Sequence, residues 1–233
     1  MRAARPLPVV FLGGPGLQYE AHAPPPALAP WVHAIWRVRA TAPADLRVLP
    51  DGCVDLIDGD VVGPFTAAAL FRVAPGYEAR GVRLRPGAFP ELFGVPASEL
   101  LDQRLPVADL LGRRSASLPA LAAAAAPPDP LAEAAMRASG AGALARASGY
   151  SPRHLRRRLL AATGLTPKRL GRIGRMQRAL SAGRGESWAR TAVEHGWYDE
   201  AHMANDVRDL AGRTPHALLR GRPFRDPRGP TPG

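Results

Sequence analysis

The chain repeats itself once, faintly, in its C-terminal half, and this repeat limits the possible folds more than any other feature. The segment Ala145–Gly149 (ARASG) matches Ala192–Gly196 (AVEHG) at an offset of 47 residues. Past the glycine the offset becomes 48: Leu155 answers to Met203, Leu159 to Val207, Gly164 to Gly212 and Pro167 to Pro215. One extra residue in the second turn accounts for the change. Two copies at so long a period do not make a solenoid. They are two copies of one supersecondary unit, and each reads as helix, tight turn, helix.

In the first copy Leu144 and Ala145 belong to a short helix that stops at Gly149, which has no Cβ to oppose a positive φ. Tyr150 packs in the turn. Ser151 and Pro152 then open the next helix as N-cap and first helical residue. Leu155 and Leu159 stand four apart and face inward, while Arg153, Arg156 and Arg157 point outward. Three guanidinium groups on the outer face of a short second helix suit the major groove of DNA, where arginine donates two hydrogen bonds to guanine. Between the copies, Thr166–Ala182 predicts a longer helix with Leu170, Ile173, Met176 or Gln177, and Leu180 inward, and Lys168, Arg169, Arg172, Arg175 and Arg178 around the rest. It would hold two reading heads at a fixed separation, about 34 Å for successive turns of the major groove. Gly171 and Gly174 weaken this helix by up to about 1 kcal/mol each, or permit a bend or close packing.

Charge follows the same division. Of a net +11, residues 129–233 carry 19 Lys/Arg against 9 Asp/Glu, and residues 1–128 carry 12 against 11. Clustered cations are rewarded on a polyanion through counterion release. The single cysteine, Cys53, excludes disulfides within the chain and a cysteine-rich zinc site. No apolar run approaches the roughly 18 residues of a membrane span. Prolines and glycines break up the apolar start of the chain, a poor signal peptide, so a cytoplasmic protein is expected. The segment Ser115–Pro130 (SASLPALAAAAAPPDP) has a short alanine helix, Leu118–Ala126, before its prolines and marks a boundary. Upstream, Val32–Val38, Leu46–Leu49, Val54–Ile57, Asp60–Val62 and Val82–Leu84 read as strands, and Ala88–Phe93 and Ser98–Leu101 as short helices. The expected architecture is an α+β N-terminal domain followed by an all-α domain of two helix-turn-helix units joined by a long linker helix. Its parts are a flexible N-terminus over 1–16, an α+β domain over 17–114, a linker over 115–129, the helical domain over 130–220 and a disordered tail over 221–233.

The stretch 142–219 resembles the DNA-binding domain of AraC/XylS-type transcriptional regulators. The resemblance is carried by ALARASGYSPRHLRRRLLAATGLTP, by the linker helix ending MQRAL, and by GWYDEAHMANDVRDLAGRTP. It implies a sequence-specific regulator that binds double-stranded DNA, with an N-terminal domain that senses a small-molecule effector or pairs two chains. A homodimer and RNA polymerase are the further partners it allows. Carried over by position, the base-reading side chains are Arg153, Arg156 and Arg157 in the first unit and Glu200, Ala201, Ala204 and Asn205 in the second, and Ser151, His154, Lys168 and Arg172 complete the expected DNA-binding set. The stretch Gly81–Gly112, with VLPDGCVDLI and Val62-Gly63-Pro64, is similar to N-terminal halves found on some AraC-type regulators without a well-assigned ligand.

The second unit departs from the family pattern. Asp199, Glu200, Asp206 and Asp209 oppose Arg208 alone on Asp199–Asp209, so the first unit is expected to dominate affinity. Thr191 and His195 stand where small or aliphatic residues are usual. The other chemistry-bearing residues support neither a metal site nor an enzyme. His154, His195, His202 and His216 lack ligand spacing, and no cofactor is expected. Cys53 beside Asp51 reads as a buried thiol at a Pro-Asp-Gly turn, without a placed base to make it a nucleophile. Trp188 and Trp197 read as core or turn-packing side chains. Trp31, Trp36, Phe65, Phe71, Phe89 and Phe93 supply either a pocket or a plain core. The alternatives are a non-specific or architectural nucleic-acid binder, and a repair enzyme that transfers an alkyl group to Cys53.

Overall fold

The computed structural model describes residues 11–12, 16–111, 117–138, 140–182 and 187–219. Among these, the N-terminal half forms strands β1 (Phe11–Leu12), β2 (Leu17–His22), β3 (Val32–Ala40), β4 (Ala44–Val48), β5 (Asp55–Ile57), β6 (Asp60–Val62), β7 (Ala69–Val73), β8 (Glu78–Leu84) and β9 (Arg104–Pro106). They make two antiparallel sheets, ordered β1-β4-β7 and β2-β3-β8-β5-β6-β9. Strand β3 sets the register. Its alternation buries Val32, Ala34, Trp36, Val38 and Ala40 on one face, which is the period-two pattern of a half-buried strand. Opposite Trp36 the β8 ladder carries Gly81, where a Cβ would stand 2.4 Å from the indole. Trp36, Val38 and Ala79 from the larger sheet meet Leu46 and Val73 from the smaller one in a shared core.

Helices α1 (Ala88–Phe93), α2 (Val107–Leu111) and α3 (Leu118–Ala124) and two 3-10 turns, Pro26–Leu28 and Ala97–Leu100, complete this half. Phe89 stacks on Phe93 at 4.8 Å, in a second core with Leu92, Leu100 and Ala122 of α3. The short helix expected before the prolines therefore lies against the N-terminal core. The expected strands overlap β3, β4, β5, β6 and β8, with Leu49 and Val54 just outside β4 and β5, whereas β1, β2, β7 and β9 go beyond them. Phe11 and Leu12, expected in a flexible N-terminus, pair with Val48 and Arg47 of β4. The segment expected as a helix at Ser98–Leu101 is the tighter turn Ala97–Leu100. The tail over 221–233 lies outside the described residues.

The C-terminal half is helical: α4 (Leu131–Arg137), α5 (Ala141–Ser148), α6 (Pro152–Thr163), α7 (Pro167–Ala182), α8 (Trp188–Glu194), α9 (Glu200–Ala211) and α10 (Pro215–Leu219). Leu170, Ile173, Met176 and Leu180 on the buried side of α7 share one core with Leu144, Leu155, Leu159, Met203, Val207 and Leu210, and Gln177 on the same helix is buried too. Gly174 lets α4 press onto α7, because a Cβ there would lie 2.0 Å from the Met136 carbonyl oxygen.

The two halves are welded. Leu49 sits in the helical core. Gln177 Nε2 donates to the Pro50 carbonyl at 2.9 Å, Ala68 N–H to that of Leu210 at 2.7 Å, and Arg47 Nη1 to that of Ala211 at 2.9 Å. Arg85 bonds Glu133 at 3.1 Å, and α6 rests on α1 and on the Ala97–Leu100 turn.

Candidate nucleic-acid interface

The turn between α5 and α6 follows from three adjacent residues. Gly149 closes α5 at φ 70°, a left-handed conformation that costs a residue with a Cβ roughly 1 kcal/mol. Ser151 takes the extended conformation, and its hydroxyl accepts from the His154 N–H at 3.3 Å. Pro152 occupies the first helical position, where no N–H is missed. Tyr150, next to the cap, meets His154 in a tilted ring contact with centroids 4.7 Å apart, and its ring lies 4.9 Å from the Arg158 guanidinium carbon.

With Leu155 and Leu159 buried beneath, Arg153, Arg156 and Arg157 are all exposed. Together with Ser151, His154 and Leu160 they line an open depression of about 550 Å³. Arg157 Nη2 lies 3.4 Å from His154 Nδ1. Arg158 faces elsewhere: its guanidinium pairs with Asp129 and reaches the Tyr150 hydroxyl. Lys168 is exposed near the start of α7.

The second pair repeats this plan. Asp199 caps α9 by accepting from the His202 N–H at 2.7 Å. Met203 and Val207 are buried, Glu200, Ala201 and Asn205 are exposed, and Ala204 is half-buried. Asn205 Oδ1 accepts from Arg208 at 2.9 Å, which brings the helix's one arginine onto the exposed face.

Asp206 and Asp209, in contrast, turn toward α7. Asp206 accepts from Trp197 Nε1 at 2.9 Å, Arg172 Nε at 2.6 Å and Arg175 Nη2 at 2.9 Å. Asp209 accepts from Arg172 Nη2 at 2.6 Å. The Arg175 guanidinium also stacks over the Trp197 ring at 4.6 Å. Burial pushes the Asp206 carboxyl up, but the hydrogen bonds from Trp197 and Arg172 outweigh it and hold the group below the usual carboxylate range. Arg172, expected at the DNA face, is thus half-buried on two carboxylates. The acidic side chains of α9 other than Glu200 are a cap and two partners of α7. Thr191 is buried and donates to the Ser187 carbonyl at 3.2 Å, and Trp197 is buried in the core.

In the N-terminal half, Arg83 is 1% exposed and bonds both oxygens of Asp55 and one of Asp51. Trp36 Nε1 donates to Asp55 at 2.7 Å. Cys53 is buried over this cluster, its N–H given to Asp51 Oδ1 at 3.0 Å. Burial and the Asp51 carboxylate push its thiol well above the ordinary value, so it stays protonated and a weak nucleophile. Among the described residues no helix is long and apolar enough to cross a membrane.

Family models match both halves. Residues 144–221 match a helix-turn-helix domain of the AraC type, and residues 20–106 match a domain of unknown function (DUF6597). The C-terminal half is an AraC-type DNA-binding domain. No curated protein and no solved structure matches the chain. The match begins at Leu144 in α5 and extends past α10, so the AraC-type domain takes in both helix pairs and the α7 rod between them.

Proposed function

We propose that the protein is a sequence-specific transcription regulator that reads the major groove of double-stranded DNA with two helix-turn-helix units, the first supplying most of the affinity. The observation that carries this reading is the exposed trio Arg153, Arg156 and Arg157 on the capped helix α6. Such side chains donate pairwise to guanine O6 and N7. Ser151, His154 and Lys168 would flank them against phosphate and sugar. On α9, Asn205 suits an adenine edge, Glu200 the cytosine amino group, and Ala201 and Ala204 a thymine methyl. Arg172 acts indirectly, by fixing α9 against α7. The N-terminal half is left to sense a small molecule or to pair two copies of the chain. An activator would also touch RNA polymerase. In this role the chain performs no catalytic step.

Titrating the chain on the DNA upstream of its own gene tests this. Arg156→Ala with Arg157→Ala should cost roughly 1–3 kcal/mol per lost base contact, about tenfold to a hundredfold each. Asn205→Ala should cost less than about tenfold. Equal losses would defeat the dominance of the first unit. Equal affinity for upstream and random DNA would make the protein a bulk binder.

A further inference from the structure

We infer that the space between the two sheets is a binding site for a mainly apolar small molecule without negative charge, and that a ligand there acts on the second helix pair through the segment Phe65–Ala69. The second part rests on the reading of α9 as a recognition helix.

The cavity is about 330 Å³, within the range of small-molecule sites. Trp36, Val48, Phe65, Phe71 and Tyr77 supply its apolar walls. Phe71 and Tyr77 remain 43% and 37% exposed, an arrangement that leaves aromatic surface in water at an open site. The charged side chains that reach the cavity are already engaged. Asp55 holds Arg83 at 2.8 Å and Trp36 at 2.7 Å, and Arg104 pairs with Asp60 at 2.6 Å. Asp102 accepts from both the N–H and the hydroxyl of Thr66 at 2.7 Å. The Thr66 donors are neutral and leave the Asp102 charge in place, so an entering anion would lose its water without gaining a free counter-charge, a strongly unfavourable exchange. A neutral molecule loses little. The chemistry therefore selects against an anion and for an aromatic or hydrocarbon body.

The segment after β6 links this wall to the helices. Phe65 and Ala69 line the cavity. Between them, the Thr66 carbonyl accepts from the Arg169 guanidinium of α7, and Ala68 N–H donates to the Leu210 carbonyl near the end of α9. Arg169 in turn reaches Asp209 of α9 at 3.5 Å. A ligand that displaces Phe65 or Ala69 shifts the peptide groups that hold α9. Helix α6 is braced instead by α1 and the Ala97–Leu100 turn, which do not line the cavity. The second pair is hydrogen-bonded directly to the cavity wall, whereas the first reaches it only through the Ala97–Leu100 turn, whose neighbour Asp102 holds Thr66.

The full chain can be tested without DNA, using the neutral fluorophore N-phenyl-1-naphthylamine and its sulfonated analogue, 1-anilinonaphthalene-8-sulfonate. The neutral probe should bind saturably, one per chain, and the sulfonate about tenfold more weakly or worse. Ala69→Phe fills the cavity and should lower the neutral probe's affinity about tenfold or more. Val48→Phe, at the position paired with Ala69, is the second filler should the first variant not fold. Hydrogen exchange with the neutral probe bound should change more over residues 63–73 and 206–211 than over α6. No saturable binding, equal binding of the sulfonate, or binding that survives both fillers would overturn the site. A change confined to the sheets would overturn the coupling. Since no DNA is present, these outcomes are separate from those of the arginine variants.

Discussion

At the scale of single residues, Asp206 ties the second helix pair to α7 through Arg172 and Arg175. Along the chain it is one of several carboxylates on a helix meant to approach phosphates, and it counts against binding. In the fold it is the acceptor that joins Trp197, Arg172 and Arg175. Its partners Arg172 and Arg175 lie 34 and 31 residues away, so no local pattern announces them. Gly149, Ser151 and Pro152 were legible because a helix end is decided by its immediate neighbours. Asp206→Asn should lower stability by about 2 kcal/mol at pH 7, the scale of hydrogen bonds to a charged group, and the melting temperature by roughly 5 °C. The folded protein holds this carboxyl below its ordinary value, so its stabilisation is complete above about pH 4 and is lost as the pH falls through the lowered value. The gap between variant and wild type should therefore close in acid. Thermal melts across pH 2–7, a range of roughly this span around the carboxylate pKa, check it, and a constant gap would contradict it.

Among the elements, α7 was recognisable from its inward stripe, and its two glycines take opposite parts. A Cβ on Gly171 meets only the Ala135 carbonyl oxygen, at 3.9 Å, whereas one on Gly174 collides with Met136 backbone. Gly171→Ala should stabilise by up to about 1 kcal/mol through helix propensity. Gly174→Ala should instead destabilise by about 2 kcal/mol or more, since α4 must move away. Urea unfolding separates the two signs, and a stabilising Gly174→Ala would show that the α4 contact is loose. Strands were legible unevenly. β3 declares itself through Val32, Ile35, Trp36 and Val38. β9 has three residues, Arg104–Pro106, and β7 leaves Leu70, Phe71 and Arg72 exposed. Both are held by ladder partners distant in sequence, which composition does not reveal.

For the molecule as a whole, the division into a sheet-rich half and a helical half was readable from charge and periodicity, but the weld between them was not. Leu49, Pro50, Thr66 and Ala68 are ordinary loop and strand-end residues until α7 and α9 are laid against them. Because both halves contribute to one core, unfolding should be a single transition. Variants keeping only Trp36 or only Trp197 as fluorophore should report the same urea midpoint, and separate midpoints would show independent halves. The buried Leu49 also bears on protein engineering. Grafting this DNA-binding half onto a foreign sensor would leave an empty socket where that side chain now sits, and a bare helical surface beside it. A working chimera would have to carry the Val48–Gly52 and Phe65–Ala69 stretches along with the helices, so modularity here ends at a seam that runs through the sheet domain.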